Sequence, residues 1–449
     1  AKTSVLTDTI VAVATPNGRG GIGIVRLSGP KAMKVASKVV RVELLRSRTT
    51  SYTDFFDAEG NKIDTGLVVF FEAPNSYTGE HVIEMHMHGN PIILGEMVRA
   101  CCELDVRPAR PGEFTERAFR AGKINLLQAE AVADLIAAQS IKAVRSAQNT
   151  LEGHFGNAVE TLILQTQEIR YQLEAAIDFS DDVGNPDFIP HIFGQHKKLL
   201  EGLNSLLVSA TQGVKLSEGF KLVIAGPPNA GKSMLLNRLV QSERAIVSPE
   251  AGTTRDAINV ECRLRDIPVQ IIDTAGLRED TESSIEKEGI KRTYAAIEKA
   301  DLIIYLKDIT SMDRVGRDYE TDLVTHAKIL TVYNKLDKLS ETNKVQAESG
   351  IYISALSGMG VACLEDAIVE AFDISNHENA EFSARERHLI ALKKAINAID
   401  AIEEVSFGSG PELVAEDYRE ATGALQEIGG EYSTEDLLGD IFSKFCIGK

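Results

Sequence analysis

The stretch Gly226-Pro227-Pro228-Asn229-Ala230-Gly231-Lys232-Ser233 matches the phosphate-loop pattern G-x-x-x-x-G-K-[ST] at every fixed position. The chemistry open to it is anion capture. Gly226 and Gly231 let the backbone curl so that its N–H groups and a helix start face a phosphate, Lys232 brings a point charge to the terminal phosphates, and Ser233 offers a hydroxyl to Mg²⁺. In Asp273-Thr274-Ala275-Gly276 the aspartate can hold a Mg²⁺ water shell and the Gly276 N–H can sense a γ-phosphate. In Asn334-Lys335-Leu336-Asp337 the carboxylate of Asp337 can accept both the ring N–H and the exocyclic amine of guanine. Adenine has no such donor pair, so GTP is favoured over ATP. Ser354-Ala355-Leu356 would close over the base with a backbone N–H. Between these, Thr253-Thr254-Arg255-Asp256 sits where a switch loop would carry Thr254 to Mg²⁺ when the γ-phosphate is present.

The elements that must position these groups are readable around them. Apolar runs Phe220–Ala225, Val269–Ile272, Ile329–Tyr333 and Gly350–Ile353 predict buried strands ending at each motif, and Ser233–Leu239 predicts the helix that follows the phosphate loop. Residues 217–375 alternate strand and helix, the mark of an inserted Ras-like P-loop α/β GTPase domain on a parallel sheet. Residues 1–120 predict an N-terminal α/β or α+β module: strands Ile10–Ala14 and Ile24–Leu27 around the glycine cluster Gly18–Gly23, then Gly66–Phe71 and His81–His88 around a turn-rich Pro74–Gly79. Helical periodicity fills 121–216, as in Leu162, Ile169, Leu173 and Ala176, and returns over 376–449 in Leu389, Leu392, Ile396 and Ile399. The economical interpretation is one helical domain in two halves that flank the nucleotide module.

Composition sets the outer limits. A chain of 449 residues with 43% hydrophobic and 25% charged residues predicts a soluble multidomain protein. No apolar run approaches the roughly 20 residues of a membrane span, and no basic-then-apolar leader opens the sequence. Five cysteines without C-x-x-C spacing suggest neither a disulfide framework nor a zinc site, and fit a reducing cytoplasm. A formal net charge of -18 argues against broad non-specific nucleic-acid binding, and residues 376–449 hold fifteen acids against seven bases.

Three details bear on mechanism. The residue after Gly276 is Leu277, where Ras-like enzymes carry a water-orienting glutamine, so another residue must place the water and another cation must meet the charge that an arginine finger would neutralise. Asn229 can ligate a monovalent ion there or simply form the turn. Glu84, His86 and His88 alternate onto one strand face, as a metal site would, although a polar face or partner contact suits them better.

On these motifs and on Asp8–Ala12, Thr15-Pro16, Gly18–Gly21, Pro74–Glu80, Arg110–Phe119, Gln128–Val132 and Phe445-Cys446-Ile447-Gly448-Lys449, the whole chain resembles the MnmE (TrmE) family of tRNA-modification GTPases. The resemblance implies a homodimer that forms a heterotetramer with a flavin-dependent partner, MnmG (GidA), and adds an aminomethyl-type (carboxymethylaminomethyl) group to C5 of the wobble uridine of certain tRNAs. It implies a nucleotide cradle running from Asn229 through Met234, with Mg²⁺ on Ser233 and Thr254. K⁺-dependent pairing of two nucleotide domains is implied, with K⁺ on Asn229 and on Ser248, Glu250 and Thr253 of the loop Ser248-Pro249-Glu250-Ala251-Gly252-Thr253. The family's water-positioning glutamate falls on Glu286, with Glu282 and Glu288 as alternatives. The first module resembles a folate-binding and dimerisation fold, implying a 5-formyl- or methylene-tetrahydrofolate near Arg26, Glu84 and Lys123, with Lys449 reaching in. Cys446 reads either as a nucleophile toward uridine or a one-carbon adduct, or as a small hydrophobe. Pro227 stands where the family often has arginine, and Asn90 where a second glycine after Gly89 is usual.

Two competing classes share some of these motifs. A GTP-switched RNA-binding or ribosome-assembly factor would bind ribosomal subunits and ignore folate. A folate enzyme with a regulatory GTPase would turn over one-carbon units without tRNA.

Overall fold

The computed structural model describes residues 8–41, 45–138, 140–178, 188–227, 229–242, 259–265, 267–273, 297, 300–311, 327–338, 350–372, 382–430, 434–443 and 445–448. The chain divides into two compact units. Ala1–Ala133, Leu151–Ser180 and Ser409–Lys449 form the first, and Asp134–Thr150 with Asp181–Gly408 the second.

The first unit opens with β1 (Ile10–Val13), β2 (Gly20–Ser28), α1 (Ala32–Val39), β3 (Thr50–Phe56), β4 (Lys62–Phe71), β5 (Val82–Gly89), α2 (Pro91–Cys102), β6 (Arg107–Pro108) and α3 (Glu113–Arg120). The six strands form one sheet in the order β3-β4-β5-β2-β1-β6, antiparallel except where β1 meets β6. The physical reason for its two faces is alternation. In β5, Ile83, Met85 and Met87 are buried while Glu84, His86 and His88 turn to the other face. The buried set joins Val11, Val25, Leu27 and Val68 under Val35, Val39 and Met97 of α1 and α2. Two expectations shift: β2 starts at Gly20, inside the glycine cluster, and β3 adds a strand not anticipated.

Helices follow: α4 (Leu126–Ala137), α5 (Ile141–Leu151), α6 (His154–Asp178) and the 31-residue α7 (Phe188–Glu218). Within the first unit α6 buries Leu162, Ile169, Leu173 and Ala176 on the face that meets the later helix Pro411–Gly429.

The second unit holds β7 (Phe220–Ala225), α8 (Lys232–Ser242), β8 (Asn259–Leu264), β9 (Ile267–Asp273), β10 (Leu302–Asp308), β11 (Lys328–Asn334), β12 (Ile351–Tyr352) and α9 (Val361–Ala371). Their sheet runs β12-β11-β10-β7-β9-β8, parallel apart from β8, which lies antiparallel on the β9 edge. This is the strand order of a Ras-like P-loop fold, and the expected parallel sheet is corrected at that one strand. Leu222 and Ile224 of β7, Ile304 of β10 and Val332 of β11 have no solvent exposure, as a sheet covered on both faces requires. The chain ends with α10 (Glu386–Ile399), α11 (Ser406–Ser409), α12 (Pro411–Gly429) and α13 (Glu435–Ser443).

In the second unit α10 packs along α7, and residues 382–385 cross α7 at Gly213, where a Cβ would stand 2.4 Å from the Phe382 carbonyl oxygen. That crossing is stitched by polar groups. The Ser383 N–H donates to Thr150 Oγ1 (2.8 Å), Thr150 Oγ1 donates to the Ser383 carbonyl (3.1 Å), Ser217 Oγ donates to the Ala384 carbonyl (2.9 Å), and Arg385 pairs with Asp134 (2.8 Å).

Candidate functional site

The phosphate loop leaves β7 and enters α8 through backbone shapes that only certain residues tolerate. Gly226 has φ +145° and Gly231 φ +99°; a Cβ on the first would lie 2.3 Å from the Leu306 carbonyl oxygen, and on the second 2.3 Å from Asn334 Nδ2. Asn229 stands at φ +62°, a left-handed position that asparagine tolerates and that a turn in the loop requires. Lys232 Nζ donates to the carbonyls of Gly226 (2.8 Å) and Pro227 (3.0 Å), which folds the ammonium over the loop it must share with a phosphate. Ser233 and Met234 follow on the exposed side of α8. The shape fits a phosphate chain: a curled backbone, a cation over it, and a hydroxyl at the helix start.

The base-recognition segments meet the same edge of the sheet. Asn334, 2% exposed, ends β11; its Nδ2 donates to the Ala230 carbonyl (2.8 Å) while its Oδ1 accepts the Ala355 N–H (2.9 Å). One buried amide thus ties the phosphate loop to the loop that closes over the base. Ser354 Oγ donates to Asp337 Oδ1 (2.5 Å), holding an exposed carboxylate in orientation, and the Leu336 N–H donates to the Ile353 carbonyl (3.1 Å). Lys335 stands at φ +70° and its Nζ reaches Asp308 Oδ2 at 2.5 Å. Burial pushes the Asp308 carboxyl up, but hydrogen bonds from Lys335 and Thr310 outweigh it and hold the group below the usual carboxylate range. Arg238 of α8 donates to the carbonyls of Ala355 (3.2 Å) and Leu356, a second tie not anticipated from the sequence.

Asp273 closes β9, but its side chain lies outside the described residues. So do Pro228, Ser248, Pro249, Glu250, Ala251, Gly252, Thr253 and Thr254, and also Thr274, Ala275, Gly276, Leu277, Glu282, Glu286, Glu288 and Lys449.

In the first unit Arg26 and Glu84 are register partners on β2 and β5, with Arg26 Nε 2.8 Å from Glu84 Oε1. Arg26 also donates to the Gly448 carbonyl (3.3 Å) and lies 5.6 Å from the Phe114 ring centroid. The residue before Lys449 therefore reaches this pair. Lys123 donates to the Pro74 carbonyl (2.9 Å) in the turn that carries Tyr77, whose hydroxyl meets Thr115 Oγ1 at 2.9 Å. A half-buried cation, a carboxylate and nearby rings suit in type a flat, amino-bearing, anionic ligand. Cys446 is exposed, so it is no core hydrophobe, while Phe445 beside it packs with Phe442 and Leu126. His88 Nδ1 meets Asp64 (2.8 Å) and His86 Nε2 meets Glu84 (3.3 Å); among the described residues no set of three or more His, Cys, Asp or Glu side chains could hold a metal.

The Arg107–Arg117 stretch holds a charge network that the sequence shows only as a dense run of arginines and glutamates. Glu113 has no solvent exposure and accepts from Arg107 (2.8 Å), Arg117 (3.0 Å) and the Arg110 N–H (2.8 Å). Arg117, 2% exposed, also reaches Asp8 (2.8 Å) and Glu80 (3.1 Å), and Ser28 Oγ donates to Glu80 (2.6 Å).

Known proteins resemble the chain from end to end. The profile described as MnmE helical domain matches residues 126–446, and that described as GTP-binding protein TrmE N-terminus matches residues 9–123. The chain belongs to the MnmE family. Relatives described as tRNA modification GTPase MnmE include that of Aeromonas hydrophila, 43% identical over 99% of this chain and 100% of the relative. That of Shewanella woodyi is 44% identical with the same coverage, and that of Yersinia pestis 43% identical over 99% of each. The MnmE helical match spans the β7–β12 sheet, so the nucleotide module lies between its ends. Asn90 has a local role in the fold: it caps α2, its Oδ1 accepting the Ile92 N–H at 2.9 Å. Among the described residues no helix is long and apolar enough to cross a membrane.

Proposed function

We propose that this MnmE-family chain hydrolyses GTP to GDP and, with a flavin-dependent MnmG-type partner, takes part in adding an aminomethyl-type group to C5 of the wobble uridine of certain tRNAs. The observation that carries this is the Asn334 amide, which joins a phosphate loop to a base loop beside Asp337 in a chain related over its whole length to tRNA modification GTPases. The nucleotide domain is taken as 217–375, the N-terminal domain as 1–120, and the helical halves as 121–216 and 376–449.

In this reading Asp337, oriented by Ser354, accepts the two guanine donors, and an adenine would leave that carboxylate without them. Lys232 turns from the loop carbonyls to the terminal phosphates, and the N–H groups of Asn229 to Ser233 line the anion. Ser233, Thr254 and Asp273 would hold Mg²⁺, while Asn229, Ser248, Glu250 and Thr253 would hold K⁺. Bound there, the two cations supply the charge neutralisation that an arginine finger supplies elsewhere. Glu286 orients the attacking water in place of the glutamine that Leu277 replaces. The folate one-carbon donor belongs beside Arg26, Glu84, Lys123 and Lys449, and Cys446 is an exposed thiol available to the RNA chemistry. A cytoplasmic homodimer, joined with MnmG as a heterotetramer on tRNA, is the working assembly.

GTP turnover measured against protein concentration in K⁺ and in Na⁺ buffers tests the scheme. Faster turnover in K⁺, rising more steeply than in proportion to concentration, is expected. Equal rates in the two salts together with strict proportionality would remove the K⁺-paired dimer, and absence of turnover would remove the GTPase.

A further inference from the structure

Asp308 and Asn334 are register partners at the carboxyl ends of β10 and β11. In the sheet β10 lies between β11 and β7, and the chain leaving β7 passes so near β10 that Gly226 has no room for a Cβ beside the Leu306 carbonyl. Asp308 thus stands at the strand end between the phosphate loop and the Asn334–Asp337 segment. Its carboxylate is locked on one side, where Oδ1 accepts from the Thr310 N–H (2.9 Å) and Thr310 Oγ1 (2.7 Å). The other oxygen holds Lys335 Nζ, and neither side chain is more than a quarter exposed. A lysine that starts at the end of β11 and is anchored at the end of β10 must lay its four-carbon stem along the carboxyl edge of the sheet, toward the strand that carries the phosphates.

We propose that Asp308 is a positioning residue for guanine-nucleotide binding: it does not touch the nucleotide but fixes Lys335 so that the lysine stem forms a preset side of the cleft between Lys232 and Asp337. This rests on the guanine-nucleotide reading above. The physical basis is preorganisation. An unanchored lysine has many rotamers that binding must freeze, whereas an anchored one is already in place. A competing effect has the opposite sign, since removing the carboxylate leaves an uncompensated ammonium near an anionic ligand. Salt separates the two, because Coulomb attraction is screened while rotamer ordering is not.

The test measures equilibrium affinity and dissociation rate of a fluorescent GDP for the full chain, Asp308→Asn, Lys335→Met and the double variant, at low and high salt, with thermal unfolding of each. Asp308→Asn is expected to bind about tenfold more weakly, ~1.4 kcal/mol, mainly through faster dissociation and at both salts. The double variant should lose no more than the worse single one, because both remove the same anchor. Affinity of Asp308→Asn within twofold of the unaltered chain, with only its melting temperature lowered, overturns the proposal; so does a double variant whose loss is the product of the single losses. Should Asp308→Asn fail to fold, Thr310→Val removes only the hydroxyl bond to the far oxygen and keeps the backbone one: a loss of about two- to fivefold supports the proposal and unchanged affinity overturns it. Failure of the unaltered chain to bind GDP would instead sink the guanine reading, and is seen without any variant.

Discussion

Asn334 uses both ends of one amide to join two loops, so its removal orphans two buried backbone groups at once, the Ala230 carbonyl and the Ala355 N–H. Leaving buried polar groups unpaired costs roughly 1–3 kcal/mol each. Asn334→Ala should therefore weaken GTP binding at least tenfold in calorimetry and lower the thermal midpoint; unchanged affinity would mean the loops hold their shape alone. Glu113 carries a pH signature. Burial drives its carboxyl up, but Arg107, the Arg110 N–H and Arg117 overcome this and hold it at about 2, against an ordinary value of 4.5. Because the folded value is depressed, the stabilisation is fully present above pH 4.5 and is lost as pH falls toward 2. Unfolding followed by denaturant across that window should fall steeply for the unaltered chain and less steeply for Glu113→Gln. At neutral pH that variant should be less stable by about 3–5 kcal/mol, since it breaks a buried pair and leaves two arginines under-compensated. A parallel pH response in the two proteins would contradict this. The network was invisible in the sequence because arginine and glutamate there read as ordinary surface charges; only the fold brings Asp8, Glu80, Arg107 and Arg117 around one carboxylate.

At the scale of elements, α7 shows how context reverses a propensity. Glycine inside a helix costs roughly 1 kcal/mol relative to alanine, so Gly213→Ala would ordinarily stabilise. Here the added Cβ would meet the Phe382 carbonyl at 2.4 Å and the Ala384 nitrogen at 3.0 Å, both backbone atoms. Overpacking of that kind costs about 1–3 kcal/mol, and the sign should turn. Gly423→Ala in α12, with nothing within 4 Å, is the control and should gain stability. If both variants were stabilised in thermal unfolding, the crossing would be looser than described. Elements also explain what was legible beforehand. The nucleotide motifs stand out because each fixed position falls at the end of an apolar strand, and β7, β9, β10, β11 and β12 place those ends along one edge. Strand β3 leaves little trace in the sequence because Thr50-Ser51-Tyr52-Thr53-Asp54 is mostly polar, with its inward residues limited to Thr53, Phe55 and Phe56. The antiparallel direction of β8 is set by its pairing with β9, which no local pattern encodes. Asp308 cannot be singled out in the sequence because a carboxylate after an apolar strand has no fixed motif around it, and its meaning comes from Lys335, 27 positions further along the chain.

Taken as a whole, the molecule is strongly acidic, with a formal charge of -18. Affinity for a polyanion grows with the number of phosphates neutralised and falls with salt. Under the proposed function the flavin-dependent partner should then supply most of the grip on RNA. Fluorescence anisotropy with a labelled tRNA should show weak binding by this chain alone and at least tenfold tighter binding with the partner present; equal affinities would place the RNA-binding surface here.

The clasp between Thr150 and Ser383 joins positions 233 apart in sequence and closes a loop that contains the entire β7–β12 sheet. During synthesis at roughly 5–20 residues per second, Thr150 is added to the chain on the order of ten to fifty seconds before Ser383. Through that interval Thr150 and the Ser146 carbonyl lack their Ser383 partners, so the nascent chain carries an unfinished clasp until the nucleotide module has been translated.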